Sequence, residues 1–252
     1  MFDLGLDVVA ILAATAAAAG FIDSIAGGGG LITVSALMLA GLPPDQALAT
    51  NKVQGSFGAG TAAIAYAQSG LVDLRQQWGT ALIAFAAGAA GAALVTWLPT
   101  QALRVLLPVI LLGIAAFFAF RKGLGDADRA QRMGPALFAA TLVPAVGFYD
   151  GLIGPGAGAF YMLGFVTLAG FGILKATAHT KLLNFSSNLG GLAVFALTGN
   201  PLWLVGLVMI PGQIFGAMLG SRMAMRVGAR VIKPLLVVTS TALALRLLWQ
   251  MM

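Results

Sequence analysis

Apolar residues fill this chain in long blocks that charged residues seldom enter. Residues 24–44, 53–72, 76–103, 105–120, 133–149, 151–174 and 182–221 contain no Asp, Glu, Lys or Arg. A hydrocarbon core about 30 Å thick needs about 20 apolar residues to cross it as helix. Several blocks reach that length, and 182–221 is long enough for two helices with Asn200-Pro201 as the turn. The pattern predicts an all-α, multi-pass membrane protein, a single membrane domain over 1–252. Ten hydrophobic elements are expected, at 5–26, 30–41, 45–70, 77–98 and 102–120, then at 133–152, 157–170, 174–198, 202–221 and 231–249.

Composition sharpens this. Apolar residues make up 60% of the 252 and charged residues only 9%, against about 25% charged in a soluble domain. Fourteen Lys and Arg with eight Asp cannot cover a water-facing surface, so most of the surface faces lipid. A mean hydropathy of +0.96 excludes disorder on the same ground. Cysteine is absent, which removes disulfides, thiolate metal sites and Cys nucleophiles. The surplus of six positive charges does not point to nucleic acid, because it sits in two loops, as topogenic charges do. The start, Met1 to Asp7, lacks the basic region of a cleaved signal peptide, so the first apolar segment is expected to be retained.

The chain contains one pattern twice. Gly20-Phe21-Ile22-Asp23 and the run Gly27 to Gly30 return as Gly147-Phe148-Tyr149-Asp150 and Gly154-Pro155-Gly156-Ala157-Gly158, offset by 127. Ala49-Thr50-Asn51-Lys52 returns as Ala178-His179-Thr180-Lys181 at 129, and Arg104 and Pro108 as Arg230 and Pro234 at 126. Ala84/Gly88/Ala92 matches Gly212/Gly216/Gly220 at 128. Two repeats, about 1–125 and 126–252, are joined by the basic loop 121–133, in which Asp126 and Asp128 are expected only to keep a flexible segment solvated. This loop carries Arg121, Lys122, Arg129 and Arg132; the region between 221 and 234 carries Arg222, Arg226, Arg230 and Lys233. Both should be cytoplasmic. The loop equivalent to the second, Pro99-Thr100-Gln101, is nearly uncharged apart from Arg104, while Asp73 and Arg75 face an uncharged Gly199-Asn200-Pro201. Opposite charge in equivalent loops predicts inverted-topology repeats, as in many transporters, with both termini non-cytoplasmic. Parity then requires the first two elements together to cross an even number of times. Either they form a re-entrant pair or 30–41 spans obliquely, and eight to ten segments fit.

Element 30–41 is roughly 18 Å long as helix, too short to span. With Gly41-Leu42-Pro43-Pro44 at the outer surface, Gly30 falls near the bilayer midplane, and Asn51 and Lys52 lie about 10–12 Å deep. In the inverted half Gly156 to Gly158 and His179-Thr180-Lys181 approach the same level. Broken helices are tolerated there only when buried in protein or lining a cavity. Their N-termini carry free N–H groups and partial positive charge, and glycine lets an anion reach that backbone. The expected site for a small anion therefore comprises Gly28, Gly29, Gly30, Asn51, Lys52, Gln54, Gly156, Gly158, His179, Thr180, Lys181, Asn184 and Asn188. Asp23 and Asp150 are the candidates for proton coupling, since intramembrane acids are candidate relays. Plainer roles compete: glycines for close helix crossing, the lysines as neutralisers of Asp23 and Asp150, His179 as a structural donor, and Gln54, Asn184 and Asn188 as interhelical bonds. For Gly212/Gly216/Gly220 the packing role is expected.

The motifs Asp23-Ser24-Ile25-Ala26-Gly27-Gly28-Gly29-Gly30-Leu31-Ile32, Ala49-Thr50-Asn51-Lys52, Gly154-Pro155-Gly156, and Thr177-Ala178-His179-Thr180-Lys181 with Asn184-Phe185 and Ser187-Asn188 resemble the sulfite exporter TauE/SafE family. The resemblance covers essentially the whole chain. It implies a bacterial inner-membrane permease for sulfite or small organosulfonates, usually moving them outward. The residues themselves predict a secondary transporter of a small anion working by alternating access of two halves; an anion channel, or a carrier of another small oxyanion or carboxylate, is the alternative. An enzyme is not expected: there is one histidine, and no H-E-x-x-H, G-x-S-x-G or phosphate-binding G-x-x-x-x-G-K-[ST]. No cofactor or metal is expected, the partners are the anion and the bilayer, and homodimer formation is left open.

Overall fold

The structure, a computed structural model, describes residues 5–95, 112–121, 123–198 and 201–249. Within them lie helices α1 (Leu6–Ala26), α2 (Gly29–Leu39), α3 (Pro44–Gln68), α4 (Leu74–Ala93) and α5 (112–120). The second half holds α6 (Pro135–Leu152), α7 (Ala157–Thr167), α8 (Ile173–Thr198), α9 (Trp203–Val227) and α10 (Ala229–Trp249). Three of them, α1, α6 and α9, are both long and apolar enough to cross a membrane. Helices α3, α4, α8 and α10 are as long but carry more polar residues. The loop Pro99-Thr100-Gln101, Arg104, Pro108, Gly199-Asn200, Met1 to Leu4, Lys122 and most of element 102–120 lie outside the described residues.

Glycine sets where the first and sixth helices stop. Gly27 and Gly28 take φ of 80° and 93°, a left-handed backbone that side chains disfavour. The chain then restarts as α2, whose Gly29 lies against the Ala19 carbonyl and Asp23, so α2 folds back along α1. Gly154 and Gly156, with φ of 89° and 94°, do the same between α6 and α7. Both returning helices have 11 residues, about 16 Å, half of what a crossing needs.

Packing repeats across the two halves. Helix α1 lies on α9 as α6 lies on α4; α3 packs on α9 as α8 packs on α4; α3 and α8 meet between them. These contacts suggest internal symmetry and require bare backbone. A Cβ on Gly216 would overlap the Ala17 carbonyl, and one on Gly212 the Ala13 carbonyl. In the matching layer a Cβ on Gly91 would overlap the Phe148 carbonyl, and one on Gly151 the Gly88 carbonyl. The expected packing role of Gly212/Gly216/Gly220 holds.

Three expectations need correction. Helix α9 runs to Val227 rather than 221, so Arg222 and Arg226 sit on its last turns, where cations complement exposed carbonyls. Helix α4 starts at Leu74, not 77, because the Asp73 side chain accepts from Arg75 N at 2.8 Å and caps it. The junction is also not merely solvated. Asp126 accepts from Leu174 N at 3.0 Å and from Ala229 N at 3.0 Å, capping the starts of α8 and α10 together. Asp128 accepts from Gly172 N at 2.8 Å and Lys175 Nζ at 2.6 Å.

Candidate functional site

The helix starts of α2 and α7 meet. A Cβ on Gly27 would lie 3.2 Å from Gly158 Cα, and the reverse distance from Gly158 to Gly27 Cα is also 3.2 Å. Each start is led by a left-handed glycine of nearly the same geometry, Gly28 (φ 93°, ψ −4°) and Gly156 (φ 94°, ψ −12°). First-turn amides have no partner inside their own helix. Those of Gly30 and Gly158 find no acceptor among the described residues. Two sets of backbone donors and two positive dipole ends thus face one small cleft of about 40 Å³.

Ten of the fifteen candidate residues line this cleft: Gly28, Gly29 and Gly30 from α2 and its cap, Gly156 and Gly158 from α7 and its cap, Asn51, Asn184, Asn188, Asp23 and Asp150. Asn51 reaches it with its oxygen already committed. Asn51 Oδ1 accepts from Thr33 Oγ1 at 2.5 Å and Gln54 Nε2 at 2.8 Å, which leaves its amide N–H groups for the cleft.

Lys52 and Lys181 stand one layer behind, each bound to a carboxylate of the other half. Lys52 Nζ donates to Asp150 Oδ1 at 2.8 Å and to the Asp150 carbonyl at 2.6 Å. That carbonyl is free because α6 ends two residues later. Lys181 Nζ donates to Asp23 Oδ2 at 2.9 Å, and Gly29 N–H donates to Asp23 Oδ1 at 3.2 Å. Both lysines are buried. Burying a charge is costly unless it is paired and hydrogen-bonded, and each of the four charges meets that condition.

The remaining candidates point elsewhere. Gln54 is buried and holds Asn51 in place, with its Oε1 unpartnered among the described residues. His179 packs beside the stacked rings of Phe165 and Phe171, at centroid distances of 5.4 Å and 4.7 Å, and away from the cleft. Thr180 places its methyl group near Gly158, and its hydroxyl has no partner among the described residues. Conversely, Gln213 and Gly55 line the cleft and were not singled out from sequence. Gln213 Oε1 sits where a Cβ on Gly20 or Gly58 would be. Its signal is in the sequence: the one carboxamide of the apolar stretch 202–221.

Comparison with known proteins agrees over nearly the full length. The family model described as sulfite exporter TauE/SafE matches residues 12–247. A protein of Sinorhizobium sp named "Probable membrane transporter protein ORF9" is 54% identical over 248 residues, 98% of this chain and 95% of that protein. "Probable membrane transporter protein YfcA" of Escherichia coli strain K12 is 45% identical over 242 residues, covering 96% and 90%. A "Probable membrane transporter protein" of Haemophilus influenzae is 42% identical over 247 residues, covering 98% and 97%. No solved structure matches the chain.

Proposed function

From a chain that belongs to the sulfite exporter TauE/SafE family of membrane transporters, we propose a secondary transporter that carries sulfite or a small organosulfonate across the bacterial inner membrane. The observation that carries this reading is the convergence of two glycine-led helix starts on one cleft, with a lysine of each half just behind. An oxyanion has acceptors on every side and needs donors on every side. The cleft offers them: the Gly30 and Gly158 amides, the Asn51 amide, the carboxamide of Gln213 and the amide hydrogen of Asn184 that Asp150 leaves free, while the amide of Asn188 is given to Asp150 and the Asn184 carbonyl. Among the described residues that line it there is no large apolar side chain, which favours a small anion.

The repeats 1–125 and 126–252 are read as inverted, with both termini on the non-cytoplasmic side and the anion reached alternately from either face. Matching packing of α1 on α9 and α6 on α4 supports two pseudo-equivalent units, each built from helices of both repeats, that meet at the cleft. Substrate bound between them touches both, so its binding energy can differ between the two orientations. Outward movement is the direction the family description suggests for this chain.

Flux into proteoliposomes tests the reading. The purified protein should catalyse counterflow of radiolabelled sulfite or sulfoacetate, with sulfate and acetate as competitors. Lys52→Ala combined with Lys181→Ala should abolish it. Intact counterflow in that double variant would remove these residues from the site, and anion conductance without counterflow would mean a channel.

A further inference from the structure

The two ion pairs behind the cleft are built unequally. The Asp150 side chain is 2% exposed. Its Oδ1 takes Lys52, and its Oδ2 takes Asn184 Nδ2 at 2.9 Å, Ser187 Oγ at 2.5 Å and Asn188 Nδ2 at 3.4 Å. The Asp23 side chain is 21% exposed. It lines the cleft and, among the described residues, holds only Lys181 and the Gly29 amide. The sequence supplies the reason. Lys181 repeats Lys52 at an offset of 129, and at that offset Asn184, Ser187 and Asn188 correspond to Gly55, Gly58 and Ala59. The three donors that fix Asp150 have no counterparts for Asp23.

Asp23 as an anion also occupies what an incoming anion would want: an ammonium and the first amide of α2. Among the described residues, the groups around it offer no other charge partner. Helix α8 contributes Lys181 and α3 contributes Tyr66, whose hydroxyl donates to the Ser24 carbonyl at 2.8 Å. Helix α2 has no ionisable residue, and Tyr161 of α7 donates to the Val143 carbonyl. From α9 comes the neutral Gln213, and from α10 Thr239, against Gly28. Arg222, Arg226 and Arg230 are exposed, Lys233 donates to the Arg121 carbonyl, and Arg246 lies about two turns beyond Thr239. Across the cleft, Asp150 is neutralised by Lys52.

We propose that Asp23 is the residue that carries the proton, and that it does so by competing with the transported anion for Lys181 and the Gly29 amide. This rests on the anion-transport reading above. A proton from cleft water bonds to a carboxylate oxygen of Asp23 and cancels its charge. Lys181 is then a buried cation without a counter-ion, and the anion takes the vacated place on Nζ and the amide. One proton and one anion load together, so a monoanion moves without net charge. When the anion leaves, Lys181 draws the proton off Asp23 by restoring the pair. Asp150, with every oxygen committed, stays ionised throughout as the counter-ion of Lys52.

Proton uptake on anion binding reads this directly. Methanesulfonate, a monoanion throughout the working range, is added to the full-length protein in weakly buffered detergent solution, with a pH indicator recording protons and calorimetry recording binding. Wild type should take up one proton with each anion bound. Asp23→Asn should bind the anion and take up none. Ser187→Ala, which loosens only Asp150, should keep the uptake, and covers the case in which Asp150→Asn does not fold. Anion binding without proton uptake in wild type, or uptake that survives in Asp23→Asn, overturns the assignment and leaves the transport reading standing. Failure of wild type to bind methanesulfonate, sulfite or sulfoacetate overturns both.

Discussion

Lys52, on α3 of the first half, donates to both the carboxylate and the main-chain carbonyl of Asp150, on α6 of the second, at 2.8 Å and 2.6 Å. The pair ties the halves together at the level of the cleft, and neither partner has water to fall back on. Removing one partner of a buried pair typically costs about 3–5 kcal/mol, whereas replacing both by apolar groups of similar volume is often near neutral. Lys52→Ala should therefore lower the unfolding midpoint in detergent sharply. Lys52→Met with Asp150→Leu should lower it less than either single change, while abolishing anion flux. A thermal double-mutant cycle checks both statements.

Close approach of α1 and α9 gives a second test. Gly216 presses on the Ala17 carbonyl, and any side chain there must push two helices apart. Gly216→Val should cost about 1–3 kcal/mol or prevent folding. Gly79, inside α4, has open space around it, so Gly79→Ala should be neutral or stabilise by about 0.5–1 kcal/mol through its better helix propensity. Unfolding midpoints of the two variants, compared with wild type, should move in opposite directions.

Much of this site was legible in the sequence, and its limits have identifiable causes. Glycine runs after Asp23 and Asp150 announced helix breaks, and the shortness of 30–41 announced a helix that does not cross. Depth counted along the helix brings Asn51 to the level of the cleft, and Asn184 and Asn188 are legible as donors beside Lys181. The partner of each lysine was not legible, because pairing of Lys52 with Asp150 and Lys181 with Asp23 depends on how the halves dock. His179 illustrates a different limit. It is two residues from Lys181, and residues so spaced do not share a helix face, so when Lys181 turns to Asp23 the imidazole turns to Phe165 and Phe171. Lys181, Asn184 and Asn188, at spacings of three and four, do share one. Gln213 was hidden by its neighbours, the Gly212/Gly216/Gly220 series, whose packing role explained that stretch of helix.

The junction carries a prediction that its basic charge obscures. Asp126 caps the starts of both α8 and α10, and losing a capping side chain costs about 0.5–2 kcal/mol. Asp126→Ala should lose both contacts at once, and Asp126→Asn, which keeps an acceptor, should recover most of the loss. Melting curves of the two variants at neutral pH make the comparison.

Asp128 predicts a pH dependence outside the membrane. Its bond from the Gly172 amide, then that from Lys175, holds the carboxyl below its ordinary value of 3.8. A carboxyl lowered in the folded state adds stability that is fully present above the unfolded value and is lost as pH falls through the folded one. Asp128→Asn should therefore melt below wild type at neutral pH, and the gap should close as the pH drops below 3.8. Because the pair is exposed, added salt should narrow the gap at neutral pH as well.

Gly28 and Gly156 separate backbone shape from side-chain chemistry at the cleft. Both hold φ near 93–94°, a conformation that costs other residues about 1–2 kcal/mol. A Cβ on Gly28 would also meet Thr239 at 3.2 Å. Alanine at either position strains the turn that aims a helix start into the cleft, and at Gly28 it also pushes on α10. Gly156→Ala should weaken anion binding and cost at least that strain energy in stability. Gly28→Ala should cost the strain and the clash together, and Gly28→Ala with Thr239→Ala should recover the part that the clash contributes. Binding isotherms for sulfite or methanesulfonate, measured beside unfolding midpoints for the same variants and wild type, decide whether crowding at Thr239 adds to the strain of the turn.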